Sequence, residues 1–230
     1  MQRWRQLLTR RKDPLQRRLE RIPADSLQGM EAYLICPREA FARGRFGKEN
    51  KAVRDERCGY TFLLDTSVAA EKPEIRGQQP SFERNETHLY WKRGSDACIS
   101  VSTMKAPSVR TSSLRGWVEH NDRLGQMFGQ MTLFLNLPSP LSGAQYRRVQ
   151  MIDLGECPAY GKLHGFEETR AYCHVYYLDD RLYRKFILCA RRDDTAWKVE
   201  CTLPARREPL LPADEALPGQ TFGSFFPLDP

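Results

Sequence analysis

Hydrophobic and polar residues follow two different periods along this chain. The first quarter has helical spacing: Trp4, Leu8, Leu15, Leu19 and Ile22, then Leu27, Met30 and Leu34, recur every three to four residues. Asp13-Pro14 has the form of a helix start, with Asp as the cap and Pro where no N–H is needed. Pro37 restarts a shorter helical stretch, and from Gly44 to Arg57 the chain turns polar and charged.

After Cys58 the period shortens towards two. "YTFLLD" (60–65) is a short strand. "THLYWKRGSDACISVSTM" (87–104) predicts a hairpin, turning at Arg93-Gly94-Ser95 and returning with Ala97, Ile99, Val101 and Thr103 on one face. "TSSLRGWVEHNDRLGQMFGQM" (111–131) returns to helical spacing, capped by Ser112 or Ser113, with Leu114, Trp117, Val118, Leu124, Met127 and Phe128 as its apolar stripe. Strands resume at "YRRVQMIDLG" (146–155).

The last strands form a meander. "FEETRAYCHVYYL" (166–178) sets Ala171, Cys173, Val175 and Tyr177 on one face; Asp179-Asp180 is a tight turn; "RLYRKFILCA" (181–190) returns. After "RRDDT", "WKVECTL" (197–203) alternates Trp197, Val199, Cys201 and Leu203 against Lys198, Glu200 and Thr202. This parity gives a meander apolar on both faces. The Pro-rich tail ends in "TFGSFFPL" (221–228), whose aromatics are expected to pack back on the body. The order predicts an α+β domain with an antiparallel sheet rather than a βαβ repeat.

Charge divides the chain at the same place. Of a net +7 over 230 residues, residues 1–57 hold 15 Lys+Arg against 8 Asp+Glu, and residues 58–230 hold 21 of each. The expected organisation is therefore a basic, partly helical N-terminal extension over 1–57 and a sheet-helix domain over 58–230. In the extension, Arg3, Trp4, Arg5, Arg10, Arg11, Lys12, Arg17 and Arg18 are the candidate partner-binding residues. Such a segment suits an exposed helix, an organelle-targeting presequence, or an arm for a partner or membrane surface. No run approaches the 18 or so apolar residues of a membrane span. The first 20 residues lack the apolar core of a secretory leader, so the sequon-like Asn85-Glu86-Thr87 is read as chance. With seven scattered cysteines, the chain is expected inside a reducing compartment, cytoplasmic or organellar, and not secreted.

Those cysteines decide whether an enzyme is expected. A two-residue turn at Asp179-Asp180 pairs Leu178 with Arg181, which places Cys173 opposite Phe186 and Cys189 on the other face with Tyr183, Ile187 and Tyr172. Cys201 can join either face, because the register across "RRDDT" is open by one residue. If it joins Cys173, the two flank Phe186 on strands about 10 Å apart, too far for a disulfide or a shared zinc. No Cys/His grouping has metal-ligand spacing, and the thiols are read as core residues. No metal or cofactor is expected. The motifs GxSxG, GxGxxG and HExxH and the P-loop are missing. Cys157 with His164, in a Gly-flanked loop near Glu167 and Glu168, is the one pair that fits a thiol hydrolase. Nucleic-acid binding through the Arg-rich arm is a further alternative, against which stand the neutral body and the lack of a reading motif.

The succession "YTFLLD", hairpin, helix, "GFEETRAYCHVYY", "DDRLYRKFILCA", "AWKVECTL" and "FGSF" resembles the PsbP/DcrB-like superfamily over residues 58–226. The features that carry it are the turn and strand at Asp180-Arg181-Leu182-Tyr183 and the terminal Ser224-Phe225. The family includes photosystem II extrinsic proteins, a Ran-binding import factor, bacterial lipoproteins and chaperones of secreted effectors. The resemblance implies an antiparallel sheet flanked by helices on both faces, an α/β/α sandwich. It also implies a mostly non-catalytic protein that binds or helps assemble another protein. It supplies no catalytic set. The basic segment, the missing leader and the many thiols depart from the exported members.

Overall fold

In the computed structural model, the described residues are 50–65, 68–70, 84–92, 97–116, 146–178, 181–204 and 212–229. The eight candidate arm residues and most of the 111–131 helix lie outside them.

The fold is antiparallel α+β. Strands β1 (Asn50–Asp55) and β2 (Tyr60–Asp65) form a hairpin, joined on the far side of β2 by β10 (Phe226–Pro227). The larger sheet contains β3 (Val68–Ala70), β4 (Arg84–Lys92), β5 (Cys98–Lys105), β6 (Tyr146–Glu156), β7 (Glu168–Leu178), β8 (Arg181–Arg192) and β9 (Thr195–Pro204). Its seven strands run in the order β3-β4-β5-β9-β8-β7-β6, every neighbouring pair antiparallel. Three helices are described: α1 (Pro107–Thr111), α2 (Pro158–His164) and α3 (Pro212–Ser224).

The meander has the register that strand parity predicts. Leu178 pairs with Arg181 and Cys173 with Phe186. Arg192 pairs with Thr195 across Asp193-Asp194, and Asp193 takes the positive φ of 55° that such a two-residue turn requires. That turn settles the open register: Cys201 sits opposite Phe186, on the same face as Cys173.

The two faces of the large sheet differ. One carries the main core, in which Ile99, Val101, Cys173, Phe186, Leu188, Trp197 and Cys201 meet Tyr60, Phe62 and Leu64 of β2 and Leu217, Phe222 and Phe225 of the C-terminal segment. On the other, Tyr172, Ile187, Cys189 and Ala196 pack under Ala106, Val109 of α1 and Leu114. The expected apolar character of this second face holds there and at the buried Cys98, Tyr176 and Tyr183, but not throughout. Further along the same face, Lys185 and Lys198 converge on Glu200 at 3.3 and 3.4 Å, all three buried. Period-two alternation reports which residues share a face, and here the shared face is covered although it is charged.

Three elements differ from the sequence reading. The 57/58 boundary falls after a strand, since β1 pairs residue by residue with β2. Its alternation is illegible because it is a largely exposed edge with little to bury. His164 ends helix α2 rather than lying in a loop. Pro158 opens that helix, and Gly165 closes it at φ 81°. The C-terminal tail contains α3, held by Phe222 and Phe225 in the core and by Ser224, whose Oγ accepts the Leu63 N–H at 2.9 Å.

Candidate functional site

The residues that converge on one point come from the β1–β2 turn and from β4. The turn, Glu56–Gly59, is fixed from several directions. Asp55 Oδ1 accepts the Cys58 N–H and the Asp55 carbonyl accepts the Gly59 N–H, both at 2.8 Å. Gly59 has a φ of 69°, which favours glycine. Trp197 of β9 donates its indole N–H to the Cys58 carbonyl at 2.8 Å, tying the turn to the large sheet. Cys58 is thereby held in place with 2% of its surface exposed.

Strand β4 delivers the other groups. Glu86 and His88 are two residues apart and so point to the same face. That face lies against Cys58 and Tyr60. The thiol of Cys58 donates to Glu86 Oε2 at 3.7 Å and lies 3.9 Å from His88 Nε2; Glu86 Oε2 is 3.7 Å from the same nitrogen. The far side of the imidazole is fixed as well: Nδ1 lies 2.9 Å from Asp55 Oδ2 and 3.0 Å from the Tyr60 hydroxyl. Arg57 pairs with the other Glu86 oxygen, Oε1. One donor atom each from Asp55, Cys58 and His88 lies within 4.8 Å of the others.

Tyr60 and Tyr90 share a hydroxyl–hydroxyl bond of 3.0 Å beside this group. Burial, with each phenol beside the other, holds Tyr60 well above the usual tyrosine range, and burial pushes Tyr90 up to about 12. Both phenols are neutral at physiological pH. Cys58 also lines an open cleft of ≈ 440 Å³ whose walls include Arg57, Lys105, Arg192, Asp193 and Trp197.

The pair expected for a thiol hydrolase is differently engaged. Cys157 turns its thiol onto the Gly155 carbonyl at 3.7 Å, and burial pushes it up to about 12. The His164 ring stacks between Tyr160 and Phe226, with Nδ1 on the Phe225 carbonyl at 2.8 Å. Burial lowers its pKa from the usual histidine range. Among the other described thiols, burial pushes Cys98 up to about 11, Cys173 and Cys189 up to about 12, and Cys201 higher still. None of these is a thiolate at neutral pH.

Sequence spacing did not pair Cys58 with His88, because 30 residues separate them. The signal present was Glu86-x-His88 on a strand, which puts a carboxylate and an imidazole on one face. Its partner on the β1–β2 turn is a tertiary fact.

No family model and no curated protein matches the chain. Solved structures similar to it include the following two. A cyanobacterial PsbP (CyanoP) from Synechocystis sp. PCC 6803 matches over 80% of this chain and 95% of its own, at 12% identity and a TM-score of 0.45. A protein from Bacteroides thetaiotaomicron matches over 79% of this chain at 9% identity and a TM-score of 0.44, and this chain spans about half (49%) of its length.

Proposed function

We propose that the protein is a non-catalytic binding or assembly module. Its sheet-helix body is the scaffold, and its Arg-rich first segment engages the surface of another protein. The observation that carries this reading is the charge division: the whole +7 excess lies in residues 1–57, while residues 58–230 are balanced. A concentrated cationic face raises association rates with an acidic partner and fixes its orientation. The raised thiols of the large sheet support the non-catalytic part, because burial keeps them protonated and poor as nucleophiles.

The test is chemical crosslinking in native extract, comparing the full chain with a full-length variant carrying Arg3, Arg5, Arg10, Arg11, Arg17 and Arg18→Glu. The expected result is a defined set of protein crosslinks mapping to residues 1–22, lost in the variant and unaffected by nuclease. An identical set from both chains overturns the reading. Crosslinks that vanish with nuclease would transfer the arm to nucleic acid.

A further inference from the structure

We propose that Cys58, Glu86 and His88 form a binding site for a divalent transition-metal ion of the zinc type, with Asp55 positioning the histidine. This site is separate from the arm and does not depend on the reading above.

The geometry is the first argument. The three donors Cys58 Sγ, Glu86 Oε2 and His88 Nε2 stand at the corners of a triangle with sides of 3.7, 3.7 and 3.9 Å. Tetrahedral zinc with bonds of about 2.0–2.3 Å to N, O and S needs donor–donor separations of roughly 3.3–3.6 Å. The triangle is a few tenths of an ångström wider than that, within reach of small side-chain rotations. Two of the donors sit on one strand two residues apart, and the third is on a turn held at both ends.

The outer contacts are the second argument. A histidine that ligates through Nε2 needs a hydrogen on Nδ1 and an acceptor to hold it. His88 Nδ1 has Asp55 Oδ2 at 2.9 Å. The Nε2 lone pair is then directed at Cys58 and Glu86. Arg57 occupies Glu86 Oε1 and leaves Oε2 towards the triangle. Asp55 also accepts the Cys58 N–H, so one carboxylate orients two of the three ligands.

The donor chemistry is the third argument. A thiol, an imidazole and a carboxylate in one buried spot offer sulfur, nitrogen and oxygen donors to a single cation. The cation takes the thiol proton's place, and proton release accompanies binding. Mixed S, N and O donors suit zinc and cobalt better than calcium or magnesium. Three protein ligands leave one tetrahedral position for water or an exogenous group.

The experiment is titration of the EDTA-dialysed full chain with Co²⁺ alone, followed by displacement with Zn²⁺. One Co²⁺ per chain is expected, with thiolate-to-cobalt charge-transfer absorption and the intense visible bands of tetrahedral cobalt. Cys58→Ser should abolish the charge-transfer band, while Glu86→Gln and His88→Asn each weaken binding at least tenfold. Asp55→Asn should keep the band but weaken binding by about 10–100-fold. Cys36→Ser and Cys157→Ser should change nothing. A full chain that gives no charge-transfer band, or a band that survives Cys58→Ser, overturns the proposal. Peptide mapping of iodoacetamide labelling in the unaltered chain gives a readout that needs no variant. Zn²⁺ should slow labelling of Cys58 selectively, and equal labelling with and without Zn²⁺ is evidence against the site.

Discussion

Cys201 and Cys58 are both almost fully buried, at 0% and 2% exposure, and they have opposite surroundings. Cys201 lies in the middle of the large sheet, paired with Phe186 on one side and Ile99 on the other. Strand parity fills its neighbourhood with apolar side chains, and burial holds the thiol neutral. Cys58 lies on a turn of the small sheet, and the face of β4 opposite presents Glu86 and His88. Burial alone therefore does not assign a role to a thiol. What assigns it is whether the packing partner arrives with apolar or with donor groups.

The largest effect expected from this contrast lies on the apolar side. Phe186 stands between Cys173 and Cys201 on neighbouring strands and is 1% exposed. Phe186→Ala removes a large side chain from a site that strands on both sides keep from collapsing, and should cost about 3–5 kcal/mol. Urea denaturation followed by far-UV circular dichroism measures it. A loss below about 1 kcal/mol would mean that the face is not packed as described.

The part of the fold that was legible in the sequence is the part fixed by local rules. From Glu168 to Pro204, period-two alternation, the pairing of Leu178 with Arg181 and the two-residue turn at Asp193-Asp194 determine register, and register determines which thiols share a face. β1 was illegible because "NKAVRD" is an edge strand with little apolar content. Helix α3 was illegible because Pro218 and two glycines interrupt its pattern, and what holds it is the tertiary burial of Leu217, Phe222 and Phe225. The buried Lys185–Glu200–Lys198 group lies on a face expected to be apolar, since alternation cannot report what covers a strand. The site was half legible: Glu86 and His88 share a face by spacing alone, but Cys58 joins them only when the small sheet closes on the large one.

A second effect, smaller for each thiol, comes from alkali. Cys98, Cys173 and Cys189 have ordinary pKa values of 9.0, raised by burial to about 11, 12 and 12. Below pH 9 both folded and unfolded chains keep these protons. Between pH 9 and about 11 the unfolded chain releases them and the folded chain does not, so the folded state binds more protons and stability falls as pH rises. Each such thiol contributes a slope of up to about 1.4 kcal/mol per pH unit. Urea midpoints taken from pH 8 to 10.5 should fall steadily, and Cys189→Ala should make the fall shallower. A midpoint that stays constant over that range would place these thiols in contact with water.

The smallest effect is the sharpest test of the contrast, because it applies one chemical change to both thiols. Replacing sulfur by oxygen keeps the size nearly constant and makes the group far more polar. At Cys201 the hydroxyl enters a neighbourhood dominated by Phe186, Ile99 and Phe222, where burying a polar group costs about 1–3 kcal/mol unless it is hydrogen-bonded; the Thr221 side chain, which bonds this thiol, holds Cys201→Ser near the lower end. At Cys58 the same hydroxyl faces the polar Glu86 Oε2 and His88 Nε2, which lie 3.7 and 3.9 Å from the sulfur, rather than apolar side chains. Cys58→Ser should therefore change stability by less than about 0.5 kcal/mol in EDTA, leaving a difference of about 1 kcal/mol between the two variants in urea melts. Equal losses would erase the distinction between a packing thiol and a donor thiol. A larger loss at Cys58 than at Cys201 would reverse it, and would mean that the β1–β2 turn depends on the sulfur itself rather than on the Asp55 and Trp197 hydrogen bonds that hold its backbone.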